Sequence, residues 1–449
     1  MEMESVMKGK HVNLLPTQIL ALGFAVMILV GTLLLSLPIA SANGQSMGFL
    51  NALFEATSAV CVTGLAVVNT AYDLSIFGQI IIILLIQMGG LGFMTMAAMV
   101  FLLMGKKITL KERLIMQEAL NHFSLEGVVS LTKTVISTTF IIEGIGALLL
   151  ALRFIPMLGW AKGIYFSIFH SISAFCNAGF DLFGNSLMDF TGDIIINFTI
   201  MGLIILGGLG FTVITDIRRK RFNFRRWSFH TKLVIIGTSI LIVSGFVFYF
   251  VVEFNNMLKP YKFPTKILTA LFQSVTTRTA GFYTIPQEGL TPASKLFTSI
   301  LMFIGASPAS TGGGIKTTTV VVILLMLKSV AKGKNDVEAF ERRISMETVY
   351  RAVSIFLISI AGLVLVTTII SIVEDINFID LLYEAASALG TVGLATFDNA
   401  ELKTISKIFI IISMYMGRVG PLTLTVAFAR LQLRKKSAVR YPEGKVMVG

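Results

Sequence analysis

Long stretches of this sequence carry no charge at all. No acidic or basic residue occurs from Val12 to Phe54, Leu74 to Gly105, Ile194 to Thr215, Leu233 to Val252 or Ala352 to Val373. A membrane helix needs roughly 20 apolar residues, and each stretch can supply one. Two interrupted segments near Phe140 and Ile412, and a glycine-broken one near Gly312, bring the expectation to about eight spans. Charged residues make up 14% of the chain, against about 25% in soluble domains. An all-α integral membrane protein is therefore expected. The N-terminal MEMESVMKGKHVNLLP is not read as a cleavable signal, because no small-residue cleavage site follows a short apolar core.

The net charge of +12 bears on orientation rather than on nucleic-acid binding. Basic clusters follow alternate spans: Lys106, Lys107, Lys111 and Arg113, then Arg218 to Arg226, then Lys328 to Arg343, then Arg430 to Lys436. The positive-inside rule places these, and both termini, in the cytoplasm. The opposite loops hold Asp73, Asp181, Asp189, Asp193, Glu374, Asp375 and Asp398, an acidic face that would attract cations. Cys61 and Cys176, the only cysteines, are expected to stay unpaired because they occupy matching places in different repeats.

The repeat is the second constraint. LFEATSAVCVTGL (53–65), IFHSISAFCNAGF (168–180), LFQSVTTRTAGF (271–282) and LYEAASALGTVGL (382–394) align. Their closing glycines are Gly64, Gly179, Gly281 and Gly393, and the third copy is one residue shorter. A second landmark follows 24 to 28 residues later: QMGGLGFM, ILGGLGFT, FIGASPAS and YMGRVGPL. The unit is thus a span, a short apolar segment ending in Gly, and a span. The short segments (about 50–61, 164–176, 266–277 and 379–390) are too brief to cross and read as re-entrant. Backbone of this kind survives at membrane depth only where protein buries it or it lines a watery cavity. Four such loops imply one central pore, where converging carbonyls can replace a cation's hydration shell. The expected divisions are an N-terminus (1–16), four repeats (17–113, 114–227, 228–335, 336–433) and a C-terminus (434–449).

Two features stand below that level. Leu296–Gly305 and Lys316–Leu327 read as helical, joined by ASPASTGGGI (306–315), in which Pro308 and three glycines break any helix. A loop obstructing the pore and a mere kink are both compatible with that break. Nucleotide binding is not expected, since GGGIKTT lacks a Gly directly before its Lys and a preceding strand. Arg418 takes the second-glycine place of the last landmark. A charge at that depth faces a cavity or pairs; it can raise a barrier to cations, cap loop carbonyls, or do both. Lys316 and Glu143 are the other interior ionisable groups, and the role of Glu143 stays open.

On the four glycines, the broken third repeat and the arginine of the last span, the chain resembles the Trk/Ktr/HKT superfamily of cation translocation proteins, over roughly Pro16 to Lys436. The resemblance implies pseudo-fourfold symmetry: eight transmembrane helices and four re-entrant pore helices around one pore. It also implies a homodimer in a bacterial plasma membrane and a cytoplasmic ring of RCK-type nucleotide-binding regulatory subunits. It assigns the selectivity filter to Val62, Thr63 and Gly64; Asn177, Ala178 and Gly179; Thr279, Ala280 and Gly281; and Thr391, Val392 and Gly393. It assigns an intramembrane gate to Gly305, Ala306, Ser307, Pro308, Ala309, Ser310, Thr311, Gly312, Gly313, Gly314 and Lys316, with Arg418 contributing to the constriction. Asn177 and Arg278 depart most from the potassium-channel pattern T-V-G-Y-G, so sodium stays open as a permeant ion. In the family, Ser at the first glycine accompanies sodium transport; Gly64 favours potassium. No cofactor is expected beyond the permeant ion.

The competing reading within transport is an alternating-access carrier, which tends to show inverted repeats; these repeats run parallel. An enzyme is not expected, because the spans hold no HExxH, no clustered His or Asp pair and no cofactor fingerprint. The polar residues Glu55, His170, Gln273 and Glu384 at matching places of the short segments are expected to start helices.

Overall fold

The structure, a computed structural model, describes residues 16–92, 95, 110–119, 128–221 and 223–420. The expected basic residues Lys106, Lys107 and Arg430 to Lys436, the histidines His11 and His122, nearly all of segment 1–16 and all of 434–449 lie outside the described residues. Helices account for most of the rest. Pro16–Leu35, Phe49–Cys61 and Ile76–Leu91 come first, followed by Leu110–Ala119. Val128–Leu158, Trp160–Cys176, Ile194–Leu209 and Phe211–Lys220 follow. Then come Phe229–Val252, Phe263–Thr276, Pro292–Phe303 and Thr317–Ala331. An antiparallel hairpin, Val337–Ala339 with Arg342–Ile344, precedes Met346–Val373, Phe378–Gly390 and Thr404–Val419.

Among the described residues, four helices are long and apolar enough to cross a membrane: Pro16–Leu35, Thr132–Leu158, Phe229–Val252 and Met346–Val373. A fifth span is reached if Ile194–Leu209 and Phe211–Lys220 count together. That is fewer than the number expected, and the reason is local. The helix after each short segment stops early, at Gly92, Gly210, Ile304 and Gly420. Three of these stops are the last glycine of the G-x-x-G landmark, each with φ between 80° and 93°. Such a φ breaks a right-handed helix and suits glycine alone. The stretch Ile194–Thr215, expected as one span, accordingly bends by 97° at Gly210. In the third copy Pro292–Phe303 ends before Gly305, which had been placed in the helix, and the second half begins at Thr317 rather than Lys316.

Burial runs opposite to that of a soluble protein. The long helices expose apolar side chains such as Val26, Leu148, Ile240 and Ile372, a surface that water does not tolerate over such an area. The short helices are inside, with Phe54, Ala56, Ala59, Ala386 and Ala388 fully covered. Their Ser/Thr/Ala runs allow this, because small residues let backbones approach closely. Glycines complete the fit. A Cβ on Gly89, Gly207 or Gly417 would strike the carbonyl of Val60, Phe175 or Leu389, near the end of the preceding short helix. For these landmark glycines the packing role is the observed one.

Candidate functional site

Each short helix ends in the same backbone manoeuvre. Val62, Asn177, Thr279 and Thr391 all take positive φ, between 51° and 69°. Two residues later Gly64, Gly179, Gly281 and Gly393 do so again, with φ between 72° and 93°. After the reversal the N–H of Thr63 returns to Ser58 O at 2.8 Å, that of Ala178 to Ser173 O at 2.8 Å and that of Val392 to Ser387 O at 2.9 Å. These bonds close a Schellman-type cap. The shorter third copy closes one residue tighter, Ala280 N–H to Thr276 O at 2.9 Å.

The four segments meet in a ring. A Cβ on Gly64 would collide with Ala178 O, one on Gly179 with Ala280 O, one on Gly281 with Val392 O, and one on Gly393 with Thr63 O. Each glycine therefore lies against the carbonyl of the next segment, and the fourth closes on the first. The carbonyl-bearing residues Thr63, Ala178, Ala280 and Val392 are fully buried. Among the described residues none of their four oxygens accepts a hydrogen bond. A buried carbonyl without a donor is costly, and four together form a layer of partial negative charge suited to a cation. All twelve residues assigned to the filter are in these segments.

Hydroxyls hold the ring from behind, a feature not singled out in the sequence. Ser58 Oγ accepts from Gly64 N–H at 3.0 Å and Ser387 Oγ from Gly393 N–H at 3.0 Å. Ser173 donates to Phe180 O at 2.8 Å, and Thr276 donates to Phe282 O. The signal was present, a Ser or Thr six residues before the glycine (five in the short copy), but it was hidden in a run of similar residues. Removing one acceptor leaves a buried N–H unpaired, at about 1–3 kcal/mol. Ser387→Ala should therefore lower the affinity of the ring for a cation by about tenfold, read as a higher half-saturating cation concentration in a flux assay, and Ser387→Thr should restore most of it.

The residues expected to start helices do something else. Glu55, His170, Gln273 and Glu384 lie within the short helices, buried. Glu55 Oε1 accepts the N–H groups of Val67 (2.7 Å) and Val68 (3.2 Å), and His170 Nε2 that of Leu182 (3.3 Å). Gln273 donates to Gln287 Oε1 at 2.6 Å. Glu55, His170 and Gln273 thus anchor the chain that leaves the ring. Glu143 meets Gln87 Nε2 at 3.3 Å and lies 3.9 Å from Cys176 Sγ, so it forms a helix contact behind the second segment. Cys61 and Cys176 are free, buried thiols.

Directly under the ring runs the segment from Ile304 to Lys316. Gly312 packs beneath Thr279 and Gly313 beneath Thr391, with no room for a Cβ at either. Ser307 N–H bonds to Gly208 O (3.0 Å), Thr311 N–H to Gly207 O (3.2 Å) and Gly314 N–H to Gly417 O (3.1 Å). Ala309 O accepts from Phe211 N–H at 2.8 Å, capping the helix beyond the bend. Lys316 Nζ folds back to Gly312 O at 2.7 Å. Arg418 donates to Thr311 O of this segment and to Gly89 O and Gly90 O of the first repeat, the last at 3.0 Å. Of the two roles left open for it, carbonyl capping is thus observed. Arg278, the outlier of the third segment, leaves the ring and donates to Thr317 Oγ1 at 2.9 Å, at the far end of the loop.

The TrkH family model, described as cation transport protein, matches residues 16–438. The chain is 41% identical to the Ktr system potassium uptake protein B of Bacillus subtilis over 442 residues, covering 98% of each. It is 39% identical to the potassium/sodium uptake protein NtpJ of Enterococcus hirae, covering 97% of this chain and 98% of that one. Its fold is similar to the crystal structure of the potassium transporter TrkH from Vibrio parahaemolyticus, with a TM-score of 0.73 at 18% identity, over 95% of this chain and 87% of the other.

Proposed function

The chain belongs to the TrkH family of cation transport proteins, and from that premise we propose that it is the potassium-translocating subunit of a bacterial uptake system. The observation that carries the proposal is the ring of four buried carbonyls, of Thr63, Ala178, Ala280 and Val392, that lack donors among the described residues and lie between glycines. A dehydrated monovalent cation is the partner such a layer fits. The uptake functions named for the relatives, potassium in one and potassium or sodium in the other, agree with potassium as the main ion and sodium as a competitor.

In this reading the four span–short helix–span units surround one pore with pseudo-fourfold symmetry, and the short helices are re-entrant. The 304–316 segment is the gate, closed by Arg418. The protein works as a homodimer under a cytoplasmic RCK-type nucleotide-binding ring, with both termini in the cytoplasm and no cofactor of its own. A channel-like mode is favoured over alternating access because the units repeat in parallel and their loops all converge on one ring. Rubidium and sodium flux into proteoliposomes tests the function. Rubidium entry that sodium competes with only weakly is expected; no cation flux from well-folded protein would overturn the reading.

Orientation has its own test. Cysteines placed at Asp189 or Asp398 should react with an impermeant reagent added outside intact cells, and one at Arg225 should not. Buried Cys61 and Cys176 leave a quiet background. The reverse pattern would invert the topology.

A further inference from the structure

We propose that the basic pocket at the start of the Phe229–Val252 helix binds the phosphate of an anionic phospholipid from the surrounding bilayer. The pocket encloses ≈ 380 Å³ and is lined by Lys220, Arg225, Arg226, Lys232 and Arg342 without a single carboxylate. Lys220 is satisfied by Asp216 at 2.6 Å. Arg225, Arg226 and Arg342 make no ion pair among the described residues. Three guanidinium groups around one concavity want an anion, and the guanidinium fork matches phosphate oxygens.

Two further observations select a lipid over a soluble anion. Trp227 lines the same pocket, and its indole Nε1–H is buried without an acceptor among the described residues. Tryptophan at the membrane interface places its ring in the apolar layer and its N–H toward headgroups. Lys232 is held over the rings of Phe224 and Phe340, at 5.4 and 5.8 Å, so apolar surface flanks the charge. The uncharged stretch of the helix begins next to it, at Leu233. If that helix spans the bilayer, the pocket lies at headgroup depth, where basic pockets beside spans take up anionic headgroups. The proposal rests on the membrane reading above but not on the ion carried.

The chain has two tryptophans, Trp160 and Trp227, so Trp160→Phe leaves Trp227 as the sole indole reporter. The purified full-length variant is titrated with mixed micelles containing phosphatidylglycerol, phosphatidylcholine, or soluble glycerol phosphate. A saturable change of Trp227 emission with phosphatidylglycerol alone is expected. Adding Arg225→Gln and Arg226→Gln should weaken it by about thirtyfold, the loss of two cations that each attract the anionic surface. Native mass spectrometry of the parent and the double-glutamine protein, with Trp160 in place, should show fewer retained phosphatidylglycerol molecules on the latter. Equal retention and equal titration would overturn the proposal. A response to glycerol phosphate matching that to the lipid would also overturn it, by showing a soluble-anion site. Rubidium flux of the double-glutamine protein in phosphatidylcholine vesicles keeps the two readings apart: flux retained with lipid binding lost leaves the pore standing.

Discussion

Gly393→Ser should slow rubidium uptake by about 100-fold and lose most of the discrimination against sodium, because two costs fall on one residue. The first is conformational. Gly393 sits at φ 93°, where a side chain costs on the order of 1–3 kcal/mol. The second is steric. Its Cβ would run into Thr63 O and lie 2.9 Å from Gly64 Cα, both backbone atoms that cannot swing aside. The oxygen displaced belongs to the four-carbonyl layer itself. A combined penalty of roughly 3 kcal/mol corresponds to two powers of ten. Gly281→Ala should behave in the same way, since its Cβ meets Val392 O. Gly144→Ala is the control: nothing lies within 4 Å of its Cβ, and uptake should be unchanged. Wild-type flux and selectivity in both ring variants would remove the filter from this ring.

Arg418→Gln should raise potassium flux by about tenfold and reduce its dependence on the proposed cytoplasmic regulatory ring, without changing ion preference. The guanidinium ties Thr311 of the loop to Gly89 and Gly90 of the first repeat. Charge-assisted bonds of this kind contribute about 1.5–3 kcal/mol each, and a neutral amide with two N–H donors makes fewer and weaker ones. Deletion of several residues between Ala306 and Gly314 removes the loop itself and should have the same sign. Arg418→Lys separates charge from tether: the ammonium preserves the charge but cannot fork to three carbonyls, so its flux should fall between parent and Arg418→Gln. Altered selectivity at an unchanged rate would make Arg418 a support of the filter. A loop deletion that folds and conducts no faster would make the broken helix a kink only.

The ring was legible because its backbone demands leave a mark at fixed places. A reversal that only glycine tolerates must be spelled Gly in every copy, so Gly64, Gly179, Gly281 and Gly393 align by themselves. The positive φ of Asn177 and Thr279 was not visible, since their side chains disguise a conformation shared with Val62 and Thr391. Helix ends were less readable. Gly305 follows the apolar pattern of its helix, yet it lies outside because its backbone packs against Gly313 and Gly314. The stretch 194–215 was expected as one span, and its uniform apolar run hid the 97° bend at Gly210, which depends on the loop carbonyl that caps the helix beyond it. The anchoring roles of Glu55 and His170 were misread as helix starts, because their partners lie in the segments after the glycine. The tether of Arg418 was half visible: the buried charge could be seen, but not acceptors more than 300 residues away.

The closure of that ring bears on how the protein is made. Gly393 meets Thr63, Arg418 meets Gly89 and Gly90, and Tyr415 donates to Ala21 O at 2.7 Å. The last quarter of the chain is thus the wall against which the first quarter completes its own share of the ring. A ribosome must deliver residues up to about 420 before that wall exists, and synthesis at about 5–20 residues per second separates the two by tens of seconds. During that interval the nascent chain has no fourth carbonyl and no arginine tether. Truncated products, such as those from a premature stop after the third repeat, cannot assemble this pathway within one molecule. A half-finished copy therefore never presents the complete ring of four carbonyls to the membrane.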